Sequence, residues 1–249
     1  VLKRFFKIFK QEAFTKRKPP LLSVDNLEAF LLKNLSSMRS DLLHPYVGLK
    51  VKAFLSTMNF IEDNMSNAVV CNNRNEVFNY ALKNLSIKGM IAEFGVKSAQ
   101  TINQLSLKPK LQQEIIYGFD SFVGLPEDWS GTKTLQGQLS NLGKLPKINK
   151  NVRLVTGWFK DSLPIFLQDH KDNFALIHID CDIYQSTKDI FTHLETRLVK
   201  GTIIIFDEFF NYPNWKQHEY KAFQEFLTKS AKKFRYLCYA HTQVAIEIL

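Results

Sequence analysis

The chain has no Cys-x-x-Cys pair, no histidine cluster, no Gly-x-Gly-x-x-Gly run and no long apolar stretch, and each absence closes off a class of protein. Its three cysteines, Cys71, Cys181 and Cys238, are odd in number and far apart. Neither a disulfide framework nor a thiolate zinc site is expected, and a cytoplasmic setting fits best. Glycine is scarce, 10 in 249 residues, and the three-glycine pyrophosphate fingerprint is missing, which disfavours a nicotinamide dinucleotide. No apolar run approaches the ~18 residues needed to span a bilayer, so no transmembrane segment is expected. Residues 1–10 lack the length and small-residue cleavage site of a secretory signal.

Acids are outnumbered, 24 against 33 basic residues, for a net charge of +9. Part of the excess falls in the first 18 residues, at Lys3, Arg4, Lys7, Lys10, Lys16, Arg17 and Lys18. There Phe5, Phe6 and Phe9 sit among lysines, a pattern that packs on its own domain or makes a weak membrane contact. A basic balance alone does not specify nucleic acid. No nucleic-acid module is recognisable, and nucleic acid is not expected as a partner.

What the chain does have is a stretch from 174 to 210 that ends two apolar runs on acids. Phe174-Ala-Leu-Ile-His-Ile precedes Asp180 and Asp182, and Gly201-Thr-Ile-Ile-Ile-Phe precedes Asp207 and Glu208. Such Ile-rich runs suit strands buried on both faces of a parallel sheet. Ser186 to Leu198 places Ile190, Phe191, Leu194 and Leu198 on one helical face, so the unit reads strand, helix, parallel strand. Four carboxylates are thereby expected at the carboxyl ends of two neighbouring strands, where open α/β sheets bind ligands. Carboxylates this crowded cannot all stay ionised unless a cation offsets their repulsion or some remain protonated, and oxygen ligands without His or Cys clusters favour Mg²⁺, with Mn²⁺ or Ca²⁺ as alternatives.

Upstream, residues 1–20 read as a basic tail and 21–85 as a helical cap or dimerisation region, leaving room for a homo-oligomer. Residues 86–249 read as the ligand-binding domain. Its first strand ends at Glu93, Gly95 permits a tight turn, and a helix opens near Ser98 to Thr101, a suitable place for a small polar ligand. A second strand ends at Asp120, where an acid for ribose hydroxyls is usual. From there to Asn151 the chain is polar and irregular, as a mobile cover over a site would be. A third strand, Val152–Thr156, leads to Gly157 and Trp158, whose indole could stack on a flat heterocycle or pack on the sheet. A helix from Trp215 to Leu227 follows, then two strands, 234–239 and 244–249, that add one antiparallel member. His178 reads as a core histidine and His218 as part of a solvated helix turn.

Five motifs, Ala92-Glu-Phe-Gly-Val96, Tyr117-Gly-Phe-Asp-Ser-Phe-Val-Gly-Leu-Pro126, Thr156-Gly-Trp-Phe-Lys-Asp-Ser-Leu-Pro164, His178-Ile-Asp-Cys-Asp-Ile-Tyr-Gln-Ser-Thr187 and Phe206-Asp-Glu-Phe-Phe-Asn-Tyr-Pro213, resemble the macrocin O-methyltransferase family. The likeness runs in order from about Asn75 to Leu227. It implies a Rossmann-like class I methyltransferase with a seven-stranded, mostly parallel sheet and helices on both faces. It also implies S-adenosylmethionine and Mg²⁺ as cofactors and a sugar hydroxyl as acceptor. Carried over by position, Glu93, Phe94, Gly95, Val96, Ala99 and Thr101 look like the methionine-side cofactor loop, with Ala99 where a second glycine is common. Asp120, Ser121 and Phe122 look like the ribose and adenine side, and Gly157 with Trp158 the adenine edge. Asp180, Asp207 and Glu208 resemble the Mg²⁺ ligands, Asp180 also bordering the cofactor, and Asp182 resembles the general base. Other acceptors (a catechol, a lipid-linked glycan, an amine) or a non-catalytic binding module with the same crevice are the alternatives.

Overall fold

A computed structural model describes residues 44–249, so the basic segment and the first part of the expected helical region lie outside the described residues. The chain divides into Val1–Leu49 and Lys50–Leu249. The described end of the first unit is the opening of helix α1 (Pro45–Asn64), with Pro45 at its first position, where a missing N–H leaves no bond unmade. No helix among the described residues is long and apolar enough to cross a membrane.

The second unit carries one sheet. In chain order its elements are β1 (Val69–Val70), α2 (Arg74–Asn84), β2 (Met90–Phe94), α3 (Gln100–Ser106), β3 (Ile116–Asp120), β4 (Val152–Thr156) and α4 (Phe159–Asp169). They continue with β5 (Phe174–Ile179), α5 (Tyr184–Leu194), β6 (Leu198–Phe206), α6 (Glu219–Ser230), β7 (Phe234–Tyr239) and β8 (Val244–Ile248). The strand order is β1-β7-β8-β6-β5-β2-β3-β4, and β8 runs antiparallel to both of its neighbours while all other pairs are parallel. Seven strands are those expected. The eighth, β1, is a two-residue addition whose paired residues are exposed, too short and too polar in setting to leave an alternation in the sequence.

The central strands are buried on both faces, β2 and β5 along their whole length, as parallel strands covered by crossover helices must be. Alternate residues divide between two cores. Phe94, Phe119, Ile177, Ile179 and Phe206 pack with α4, α5 and α6, whereas Ile91, Leu176, Ile203 and Ile205 pack with α2 and α3. This alternation sets the site. Glu93 lies directly across from His178 in the β2–β5 register, on the α2 side. One residue beyond β6, Asp207 continues the row, with its N–H bonded to the Ile179 carbonyl at 2.9 Å.

Candidate active site

The turn after β2 is built by close approach of two backbones. Gly95 has φ +95°, and a Cβ there would collide with the carbonyl of Asp180. Asp120, at the end of β3, locks the same turn: one oxygen accepts the N–H groups of Val96 (2.8 Å) and Lys97 (2.7 Å), and the other that of Phe122 (2.6 Å). Ala99 takes a left-handed conformation, φ 60°, as the residue that caps α3, and is fully buried. Above the turn opens a cavity of about 700 Å³, lined among others by Gly95, Thr101, Ser121, Trp158, Asp180 and Asp182.

The expected site residues fall into two groups. Val96, Asp120 and Gly157 also border the cavity. Glu93, Phe94, Ala99 and Phe122 lie beneath it with essentially no exposure. Phe94 stacks on Phe119 with ring centroids 4.8 Å apart and is not among the residues lining the cavity. Trp158 lines the cavity and is exposed.

Behind the cavity the carboxylates converge. Asp180, Asp182 and Glu208 each offer an oxygen within 4.8 Å of the other two, and a ring nitrogen of His178 with an oxygen each of Asp180 and Asp207 makes a second triad at the same spacing. Asp182 has φ 68°, a left-handed backbone that Asp tolerates better than most residues. Burial, and then the negative charge of Asp207, pushes its carboxyl up to about 7. Burial with the neighbouring acids likewise raises Asp180, Glu208 and Glu219 well above the usual carboxylate range.

Two cations face this cluster. His178 is fully buried, 3.0 Å from Glu93 through Nδ1 and 3.5 Å from Asp207 through Nε2, the latter too long to count as a good hydrogen bond. Burial alone would depress the imidazole, but the two acids outweigh it and raise it to about 10. His178 therefore holds its proton at neutral pH. The core-histidine expectation describes its burial, yet its partners are site acids. Arg74 is the second cation, at the first position of α2, where Asn73 caps the helix by accepting the Glu76 N–H at 3.1 Å. Its guanidinium donates to Asp207 at 2.6 Å and to Thr101 Oγ1 at 3.0 Å and stands 3.9 Å from Asp180. Although burial opposes it, His178 and Arg74 together hold Asp207 below its ordinary value. Nothing in the sequence near Arg74 signals this role, since its partner lies 133 positions away.

Several buried polar atoms here have no hydrogen-bond partner: Asp207 Oδ1, Glu208 Oε2 and Glu219 Oε1 among the acids, and His218 Nδ1 nearby. Each such group costs roughly 1–3 kcal/mol while it stays unpaired. Glu219 was not marked by any sequence motif; it is the first residue of α6, fully buried, with its other oxygen accepting the Glu208 N–H at 3.2 Å. His218 does not sit in a solvated turn as expected but is 4% exposed, because the segment carrying Ser130 folds over it.

Residues 65–233 match the family model described as Macrocin-O-methyltransferase (TylF). A Streptomyces olivaceus protein named 8-demethyl-8-(2,3-dimethoxy-alpha-L-rhamnosyl)-tetracenomycin-C 4'-O-methyltransferase is 28% identical over 36% of this chain and 40% of its own length. Demethyldecarbamoylnovobiocin O-methyltransferase of Streptomyces niveus is 35% identical over 30% of this chain and 28% of its own. The chain thus aligns with well under half the length of these curated relatives. Among solved structures, the calicheamicin methyltransferase CalS11 shares the fold across 95% of both chains at 21% identity and a TM-score of 0.54. The O-methyltransferase NovP does so across 70% of this chain and 78% of its own, at 20% identity and a TM-score of 0.56.

Proposed function

The chain belongs to the macrocin-O-methyltransferase family, and from that premise we propose that it transfers a methyl group from S-adenosylmethionine to a hydroxyl of a sugar or glycosylated small molecule. The observation that carries the reading is the meeting of a cavity of cofactor size with Asp182, a buried acid that both lines that cavity and is raised to about 7. The relatives named above are O-methyltransferases of elaborate natural products, one of them named for a rhamnosyl compound, which supports a sugar as the acceptor.

When bound, S-adenosylmethionine supplies an electrophilic methyl on a positively charged sulfur. The Gly95 turn, held by Asp120, and the exposed face of Trp158 are the parts of the wall that would seat it. The acid cluster fits a hard divalent cation. Asp207 Oδ1 and Glu208 Oε2 are buried without partners, and burial, with the negative charge of Asp207 beside it, raises Asp180, Asp182 and Glu208. Asp180 and Glu208 would hold such an ion with Asp207. Mg²⁺ there would supply a Lewis acid that acidifies the acceptor hydroxyl.

Asp180 and Asp182 line the cavity while Asp207 and Glu208 do not; with Asp180 given to the ion, Asp182 is the cavity-lining acid left to act as the base. An alcohol is a poor nucleophile until it loses its proton, and a carboxylate raised to about 7 is a stronger base than an ordinary one. Asp182 would accept that proton at its carboxylate. Arg74 and His178 keep Asp207 ionised and fixed in orientation, so the charge pattern is set before any ligand arrives.

Calorimetric titration of S-adenosylmethionine into the purified protein tests the reading, followed by product analysis with sugar acceptors. Saturable binding is expected. An Asp182→Asn variant should keep that binding and lose about 10²- to 10⁴-fold in turnover. A protein that gave no heat of binding with or without Mg²⁺ would end the methyltransferase reading.

A further inference from the structure

Asp207 is already claimed by side chains of the protein itself. It stands one residue past β6 with its side chain 1% exposed, and its Oδ2 accepts from Arg74 Nη2 at 2.6 Å. His178 approaches its other oxygen at 3.5 Å and is held on the far side by Glu93, 3.0 Å from Nδ1. Both ring nitrogens are therefore turned to acids, and the imidazole is engaged as a partner of carboxylates and not as a ligand for an ion. The three carboxylates that meet at one spacing are Asp180, Asp182 and Glu208, whereas Asp207 meets that spacing with Asp180 and His178.

The two basic neighbours of Asp207 differ in whether they can yield. His178 has no exposure and lies edge-on against Phe78, ring centroids 5.0 Å apart. Arg74 has a side chain 40% exposed, and it borders the cavity. It rises from the first position of α2, and its tip is held by hydrogen bonds to Asp207 and to Thr101 Oγ1, the latter at 3.0 Å. A long side chain whose head already touches water can withdraw without opening the core. A buried imidazole cannot. Asp207, however, is too deeply buried to be left alone, since removing one partner of a buried ion pair strands the other charge. Arg74 can leave only as another cation arrives. Asp180 lies 3.9 Å from the same guanidinium, so a replacement at that place is met by two of the strand-end acids.

We infer that Arg74 is an exchangeable internal cation: it neutralises Asp207 until a divalent ion takes its place, and it must release that carboxylate before Asp207 can join Asp180 and Glu208 in holding the ion. The inference rests on the ion site of the proposed function and deepens it, because ion affinity becomes a competition within the chain. Thr101 sets the strength of the hold, since its hydroxyl takes the other end of the guanidinium. Thr101 also lines the cavity, so the cofactor wall and the ion site share one side chain.

Mn²⁺ binding to the full chain, followed by the paramagnetic resonance signal of the free ion, tests this without turnover. Arg74→Ala should bind Mn²⁺ about tenfold more tightly than wild type, because a hydrogen bond from a charged donor no longer has to be broken. Thr101→Val is nearly isosteric and leaves every charge in place; by loosening the guanidinium it should tighten binding about threefold. Guanidinium chloride, added at constant ionic strength, should then weaken Mn²⁺ binding to Arg74→Ala by refilling the place of the lost side chain, and should leave wild type unchanged. Weaker or unaltered Mn²⁺ binding in either variant would make Arg74 a fixed support for Asp207 and overturn the inference. Tightening in Arg74→Ala that guanidinium does not reverse overturns it too, as the effect of removing a like charge at a distance, and so does an absence of Mn²⁺ binding in all three proteins. S-adenosylmethionine titrated into wild type keeps the two questions apart. Donor binding beside unaltered Mn²⁺ affinities leaves the methyltransferase reading standing and strikes the exchange, and tightened, guanidinium-sensitive Mn²⁺ binding without donor binding does the reverse.

Discussion

Asp182 and His178 make the pH behaviour a residue-scale matter. If Asp182 is the base, kcat/KM should rise with pH along a limb centred near its value of about 7 and then level off. A limb centred near pH 4 would instead indicate an ordinary exposed carboxylate. Stability should move the other way. Asp182 is raised in the fold from 3.8 to about 7, so the folded state holds its proton more tightly, and the stability this contributes disappears as pH climbs through that window. His178, raised from 6.5 to about 10, contributes stability that is complete below 6.5 and lost as pH rises through about 10. Asp207, lowered, acts only below the ordinary range of a carboxylate. In the presence of a chelator the melting temperature should therefore decline steadily from about pH 5 to about pH 9. A flat or rising profile in calorimetry would mean the acids are not crowded as the structure has them.

At the scale of elements, the turn from β2 into α3 is where a single methyl group decides the outcome. Gly95→Ala would drive a Cβ into the Asp180 carbonyl from a backbone at φ +95°. We expect a loss of more than about 3 kcal/mol in denaturant unfolding, with S-adenosylmethionine binding abolished. Ala99→Gly four residues on is the opposite case. It relieves a left-handed alanine, worth about 1–2 kcal/mol. It also gives up a buried methyl, about 0.8 kcal/mol, and frees the unfolded chain by about 0.4–1 kcal/mol. The net change should be under about 1 kcal/mol with cofactor affinity retained. A large loss would mean that the methyl itself is a contact.

Across the whole molecule, α1 is tied to the C-terminal half of the sheet through Phe60. Its ring meets Phe209, Phe210, Trp215, Tyr220 and Tyr236, with centroids 5.4 to 6.5 Å away. Asn211 sits in the same region, its N–H bonded to Thr57 Oγ1 of α1 at 3.0 Å. Phe60→Ala should cost about 3 kcal/mol of stability. Denaturant unfolding checks this, and a loss under about 1 kcal/mol would mean that these ring contacts contribute little.

The sheet was legible in the sequence because its strands are buried on both faces, and burial of that kind leaves uninterrupted Ile-rich runs such as those at 174–179 and 203–206. The acids at the strand ends were legible for a related reason: parallel strands finish at one edge, so Asp180, Asp182, Asp207 and Glu208 fall together. Helix boundaries shifted by a few residues, since caps and not periodicity end a helix. Other features belong to the tertiary structure alone. Arg74 meets Asp207 only because α2 lies over the α2-facing row of the sheet, and no local pattern records a contact spanning 133 positions. Glu93 turned out to lie beneath the cavity and face His178, a consequence of strand register that alternation suggests and pairing decides. Tyr212, Trp129 and Glu219 look ordinary in the sequence. Packing decides how each of their polar atoms is met, Glu219 Oε1 being buried without a partner, and whether a hydrogen bond is made or left open is a property of three-dimensional neighbours, which residue identity does not determine.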